Sequence, residues 1–477
     1  MKKLFHFSVC LLLLSACTED FTAINTNENA PTEVQPSLLL RQVLYGFGDE
    51  MSYEGFVAGN LLSQHFAMTD FNLFDRHALS SPQEGGNPWD ILYVHLRDNE
   101  TILQAARENS AFAVYEGPAL VMKAYLAATA TDLFGDIPYF EAFQGRSTGI
   151  ITPRYDQQED IYLAEGGILD NLRSAVMAMD SYDGAIQLGG DIIYNGDLES
   201  WIRFANSLRI RYLMRISDRI DVSSELTDIF SSGQFINSNE QNAVFDFTDN
   251  LPNSFEIATV RVGIFNLFVM SATSEQILTD FSDPRIEFLF RPSGNNNDFN
   301  GLINGIDAGS TTITVDDFAR PGTVFRENTG DLSYNYMTSW ETAFLLSEAS
   351  VKGLINEDPR TWYEKGVIEA FAYWDTPLPA NYLTDSPTAF DSNRGVEQNI
   401  TQKWIANIGN NYENWAEWRR TGFPAMMPVA ASLNDGLYPV RFPYPADEEA
   451  LNFENYQQAA AATDGNSVNV RVWWDSE

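Results

Sequence analysis

From Leu198 to Ile216, apolar residues recur at steps of three and four: Leu198, Trp201, Ala205, Leu208, Tyr212 and Ile216. That spacing lines one face of an α-helix and predicts a helix over 198–216 with the stripe turned to a core. Tyr363, Val367, Ala370, Phe371 and Trp374 form a second stripe, and 340–353 predicts a third helix that stops at Gly353. Residues 111–133 read as helix rich in alanine (Ala119, Ala124, Ala127, Ala128, Ala130), which lets neighbouring helices approach closely, and 89–107 reads as another. Between the helices lie long stretches of Asn, Gly, Asp, Ser and Pro: 70–88, 248–261, 292–326 and 376–394. Loops of that length are uncommon in compact domains and are usually functional. Thr311 to Val315 is the one segment that suggests a strand of a small hairpin. The pattern describes a mostly α scaffold with long irregular loops and minor β-hairpins, and no strict 34-residue repeat is visible.

The first 16 residues follow a different pattern. Lys2 and Lys3 precede an apolar run from Leu4 to Leu14, and Ser15-Ala16-Cys17 follows. The run is shorter than the roughly 20 residues that span a bilayer, and the order is that of a secretory signal. Leu14-Ser15-Ala16-Cys17 resembles a bacterial lipobox, which predicts cleavage before Cys17 and lipidation of its thiol. The alternative is an ordinary secretory signal with a chance cysteine at its end. Residues 17–36 are polar and read as a flexible leash, and 37–477 as a single domain. The other cysteine, Cys10, lies inside the leader, so the mature chain has no disulfide and no cysteine metal site.

Composition narrows the function. The chain has 66 acidic and 29 basic residues and a net charge of −37. Such a surface repels nucleic-acid phosphates, and it disfavours anionic polysaccharides unless arginines cluster locally. Lys123, Lys352, Lys365 and Lys403 are the lysines outside the leader.

Five blocks, in order, carry a resemblance. They are residues 133–139 (Leu-Phe-Gly-Asp-Ile-Pro-Tyr), 201–212 (Trp-Ile-Arg-Phe-Ala-Asn-Ser-Leu-Arg-Ile-Arg-Tyr), 344–349 (Phe-Leu-Leu-Ser-Glu-Ala), 415–424 (Trp-Ala-Glu-Trp-Arg-Arg-Thr-Gly-Phe-Pro) and 441–445 (Arg-Phe-Pro-Tyr-Pro). Each resembles a motif of the SusD/RagB-like outer-membrane lipoproteins. The resemblance implies a tetratricopeptide-like scaffold of helical pairs in a right-handed α superhelix, displayed on the cell surface and without catalytic activity. It also implies a SusC-like TonB-dependent transporter as partner, an oligosaccharide or a peptide as ligand, and membrane attachment through lipid alone. Glu19 and Asp20 look like the acidic signal that routes such lipoproteins to the surface. The blocks themselves read as packing: Gly135 suits a helix end, and Arg203, Arg209, Arg211 and Arg215 are expected to pair with carboxylates.

No enzyme motif is apparent. His65, His77 and His95 form no His-Glu-x-x-His set, His95 reads as a satisfied structural histidine, and neither a nucleophile elbow nor a phosphate loop occurs. A carboxylate pair for glycoside hydrolysis is not identifiable among so many acids. Asn296, Asp298, Asn300, Gly301, Leu302, Asn304 and Asp307 fall at the positions of an EF-hand-like calcium loop, though Asn first and Asp last remove charge and denticity that calcium needs; the same stretch reads as an Asn/Gly-rich turn. Sugar recognition uses aromatic faces beside polar groups. The candidates are Phe71, Phe74 and Arg76 in the first long loop, Trp89 at its end, and Tyr334, Asn335 and Tyr336 before the Trp340 helix. The family's ligands contact broadly these two regions, so both are expected to converge on one site.

Overall fold

The computed structural model describes residues 35–79, 88–309, 312–385, 387–409 and 412–476. The leader, Cys17 and nearly all of the leash lie outside the described residues. Among the described residues, nine of the helices build the scaffold: α1 (Pro36–Glu54), α2 (Pro88–Glu108), α3 (Glu116–Phe134), α4 (Ile168–Asp180), α5 (Leu198–Ile216), α6 (Ser339–Val351), α7 (Pro359–Tyr373), α8 (Gly395–Ala406) and α9 (Glu413–Thr421). From α1 to α7 each helix packs on the next, and α8 lies against α6 and leads into α9. The molecule is thus mostly helical, with stacked helix pairs.

Local chemistry sets these boundaries. Asp197 caps α5 by accepting from the backbone N–H groups of Glu199 and Ser200. The alanine-rich stretch is helical from Glu116; Ser110–Tyr115 before it is a tighter 3-10 turn. Ala119, Ala124, Ala127, Ala128 and Ala130 are wholly buried, so α3 is covered on all sides, as a central helix must be. Gly135 ends it at φ +82°, and its N–H closes on the Thr131 carbonyl.

Strands are few and pair across long sequence gaps. β1 (Phe66–Met68) runs antiparallel to β3 (Phe268–Met270), and β2 (Ala243–Asp246) to β4 (Ser333–Met337). Two further two-residue pairs join 137–138 to 155–156 and 290–291 to 320–321. The strand expected over 311–315 does not form in its described part. Residues 312–314 are irregular and Val315–Asp317 is a 3-10 turn. Ile313 and Val315 instead pack against Ala67, Val269, Leu302 and Ile306, a small cluster beneath the β1–β3 ribbon.

Residues in and beside three of the motif blocks (201–212, 344–349 and 415–424) meet in the interior as a charge network. Arg211 forms a two-toothed pair with Glu341 at 2.7 Å on each oxygen. Arg215 reaches Glu413 at 2.5 Å, Glu417 at 3.3 Å and Asp132 at 3.4 Å. Lys403 lies 3.0 Å from Glu341 and 2.8 Å from Glu413, and Arg420 bridges Glu348 and Glu417. Five helices (α3, α5, α6, α8 and α9) are tied by it. Burial alone would raise the Glu413 carboxyl; Arg215, Lys403 and Arg211 overcome that and bring it down to about 2. Arg203 and Arg209 pair with Glu199 and Glu225 nearer the surface. A cavity of about 30 Å³ beside the network, between Tyr125, Arg211 and Glu413, has room for a water and little more.

Candidate ligand-binding groove

The first long loop leaves β1 at Met68 and is fastened by a buried carboxylate. Asp75 accepts from the backbone N–H of Met68 at 3.1 Å and of Gly305 at 2.8 Å, and from the Asn304 amide at 2.5 Å. Burial pushes its carboxyl up to about 6 despite those bonds. Asn72 adds a bond to the Ile306 carbonyl at 2.7 Å. Two phenylalanines between these anchors are therefore fixed in place. Phe74 turns inward and is 3% exposed, whereas Phe71 stands out at 78%. Phe71 adopts φ +50°, a region unfavourable for a bulky residue, and its N–H is held by the Asp70 carboxylate at 2.8 Å. Strain of this kind persists only where the surroundings enforce it, and it clusters at binding sites.

Both rings line a groove of about 330 Å³. Tyr53 of α1 and Val57 of the π-turn Gly55–Gly59 form one wall. Ile257 and Val260 form the opposite wall, from the loop 248–261 that was singled out by its turn-rich composition. Ile264 continues that wall, and Met68 and Phe268 of the β1–β3 ribbon form the floor. The lining is almost wholly apolar, and Val262 beside it is 56% exposed. An exposed ring above an apolar trough is an attractive surface for a ligand's apolar face.

The other sequence candidates go elsewhere. Trp89 is 5% exposed, with the Tyr93 and Phe134 rings at 4.6 and 4.8 Å. Arg76 donates to the Ala431 carbonyl at 2.8 Å and lies 3.9 Å from Asp307. The expected convergence of two clusters does not occur, because β4 is covered on both faces. Tyr334 and Tyr336 pack around Phe47 and Tyr125, the Tyr336 hydroxyl donates to the Leu44 carbonyl, and Asn335 accepts from the Tyr373 hydroxyl at 3.0 Å. Among the groove residues that sequence reasoning missed are Tyr53, Val57, Ile257, Val260 and Ile264. The apolar Ile257 and Val260 inside a long polar loop were a usable signal; Tyr53 and Val57 carried none.

The EF-hand-like stretch does not form a calcium cage. Asn304 donates its amide inward to Asp75 and to the Phe66 carbonyl, and Asn300 donates to the Asp317 carbonyl. The Asp307 carboxylate faces Arg76 at 3.9 Å and accepts from the Gly309 N–H at 3.2 Å. Among the described residues no group of three or more His, Cys, Asp or Glu is arranged to hold a metal. His65 is buried and stacked on Trp404, and burial pulls it down to about 3. His95 is buried too, edge-on to the Phe47 ring, with the Glu50 carboxylate 3.8 Å from Nε2 and no hydrogen bond to either ring nitrogen.

The fold and groove define a helical binding protein, and comparison with known proteins places it. The SusD-like family model, described as "Starch-binding associating with outer membrane", matches residues 28–445. The chain belongs to this family of outer-membrane nutrient-binding proteins, whose members bind their ligands without catalysing a reaction. A SusD homologue from Bacteroides fragilis is similar in structure, with 25% identity, a TM-score of 0.78, and coverage of 93% of this chain and 100% of the other. A chitin-binding protein aligns at 24% identity and TM-score 0.79, covering 93% and 100%. A chitin-binding SusD homologue from Flavobacterium johnsoniae aligns at 23% and 0.77, covering 93% and 98%. No curated protein matches this chain.

Proposed function

We propose that this protein captures a neutral oligosaccharide at the cell surface in the Phe71 groove and passes it to a SusC-like TonB-dependent transporter. Residues 1–16 are a removed leader, Cys17 carries the lipid anchor, residues 17–36 are the leash, and 37–477 form one domain whose helix pairs continue as a tetratricopeptide-like superhelix. The observation that carries the reading is Phe71, an aromatic ring held in a strained conformation and presented to solvent above a groove. The net charge of −37 supports a neutral ligand there. Two similar structures are chitin-binding proteins, and the N-acetyl methyl groups of chitin oligosaccharides suit so apolar a lining. That lining also favours a second reading, a peptide held by apolar side chains.

Calorimetric titration of the chain begun at Thr18, with chitin oligosaccharides, neutral glucans and short peptides, tests both. Saturable glycan binding without hydrolysis is expected, and Phe71→Ala should weaken it about tenfold, or about 1.4 kcal/mol. Glycan affinity untouched by Phe71→Ala would sink the groove as the site, and binding of peptides alone would favour the second reading. In cells, Cys17→Ser should move the chain out of the membrane fraction; its retention there would refute the anchor.

A further inference from the structure

A second concavity, of about 280 Å³, opens where α9 meets the C-terminal segment. Its character is opposite to that of the Phe71 groove. Trp418 and Tyr438 give it two aromatic rings with centroids 4.8 Å apart, and Asn469, Arg419 and Arg471 give it donors. Two guanidinium groups line it and no carboxylate does, in a chain that carries 37 net negative charges. Local concentration of arginine is what an acidic surface needs before an anionic sugar can approach.

The pocket is built rather than incidental. Tyr438 is locked by its hydroxyl, which donates to the Met427 carbonyl at 2.5 Å and accepts from the Gln64 amide at 2.6 Å, and by the His77 ring at 4.5 Å. Arg419 is 3% exposed and lies over the Trp415 and Trp474 rings at 4.0 and 4.7 Å. One of its nitrogens donates to the Asp132 and Val440 carbonyls, both at 2.8 Å. Its Nε and Nη2 are buried without a hydrogen-bond partner. Asp475, which also pairs with Arg471, and Asp132 supply the opposing charge. Burial pulls this guanidinium down to about 10 even so. Arg471 stands at the mouth with its side chain 45% exposed; it pairs with Asp475, which is not part of the lining.

We propose that this pocket is a second binding site, one that takes a carboxylate-bearing sugar ring such as a uronic acid residue. The ring stacks on Trp418 and Tyr438, and its carboxylate is drawn by Arg471. The volume falls just under the range of roughly 300–1,000 Å³ usual for ligand pockets and suits one or two sugar rings. The site is separate from the Phe71 groove and stands or falls without it.

The test is calorimetric titration with a glucuronate-terminated disaccharide, the same disaccharide ending in glucose, and N-acetyl-leucine as a non-sugar carboxylate. The acidic disaccharide should bind at least tenfold more tightly than either alternative and weaken as salt rises. Arg471→Gln should remove about tenfold of that affinity, Arg471→Lys should restore part of it, and Phe71→Ala should leave it unchanged. Circular dichroism checks that each variant is folded, and Trp418→Phe, which keeps a ring, guards against a loss due to misfolding. Equal binding of the two disaccharides, full affinity in Arg471→Gln, or no binding by the parent chain would each overturn the proposal. Preference for N-acetyl-leucine would overturn the sugar and leave a carboxylate site for peptides.

Discussion

Arg215 illustrates how one side chain holds several helices. It is fully buried, meets Asp132, Glu413 and Glu417, and rests over the Trp474 ring at 5.2 Å. A buried ion pair gains little over an apolar contact of the same shape, because both ions have lost their water. Removing one partner is a different matter, since Lys403 and Arg420 must then balance Glu413 and Glu417 without it and buried Asp132 loses its paired cation. Arg215→Met should therefore destabilise the fold by about 3–5 kcal/mol. Arg203 lies on the same helix but pairs only with the largely exposed Glu199, so Arg203→Met should cost less than about 1 kcal/mol. Urea unfolding of both variants checks the contrast. Equal losses would mean that the network does not act through burial.

At the scale of elements, the helices were legible because a 3.6-residue period reports directly on which face is covered. Leu198–Ile216 has the expected bounds, and Pro88–Glu108 and Ser339–Val351 lie within two residues of theirs. The site was legible only in part. Phe71 and Phe74 stood out as rings in a loop, but Tyr334 and Tyr336 had the same appearance and are core. Ser333-Tyr334-Asn335-Tyr336 alternates polar and aromatic residues, which is a strand signal, but over four residues it does not say that Asn335 is buried as well or separate the strand from an exposed aromatic loop. The pairing of β4 with β2 is set by contacts some 90 residues apart, which composition does not encode. What distinguishes the groove loop is its fastening. Asp75→Ala leaves the Met68 and Gly305 N–H groups and the Asn304 amide without their acceptor, and should cost about 2–4 kcal/mol. It should also weaken glycan binding, because Phe71 loses its support. Phe71→Ala should weaken binding while leaving stability within about 0.5 kcal/mol. Unchanged binding by a folded Asp75→Ala would separate the loop's order from the site's function.

For the whole molecule, buried acids of two kinds set opposite limits on pH. Glu413 titrates at about 2 in the folded chain against an ordinary 4.5, so the native state binds fewer protons than the unfolded one in that window. Its contribution is present above about 4.5 and is lost as pH falls toward 2. Asp49 behaves in the other sense. Burial, then the charges of Glu256 and Glu50, push it up to about 7 from 3.8, and burial pushes Asp75 up to about 6. Here the native state holds protons that the unfolded chain has released, so stability falls as pH rises from about 4 to 7. Self-repulsion among 66 acidic residues adds to the same slope but is screened by salt, whereas the partly buried Asp49 is screened less. Thermal melts should therefore show greatest stability near pH 4–5, with a decline on both sides. In high salt the alkaline decline should persist in the parent chain and become shallower in Asp49→Asn, which leaves only the part due to Asp75 and other buried acids. A melting temperature that climbs steadily from pH 5 to 8 would mean that Asp49 is ionised in the fold without penalty. The acidic contact between α1 and the 248–261 wall of the groove would then be relieved by water rather than by a proton.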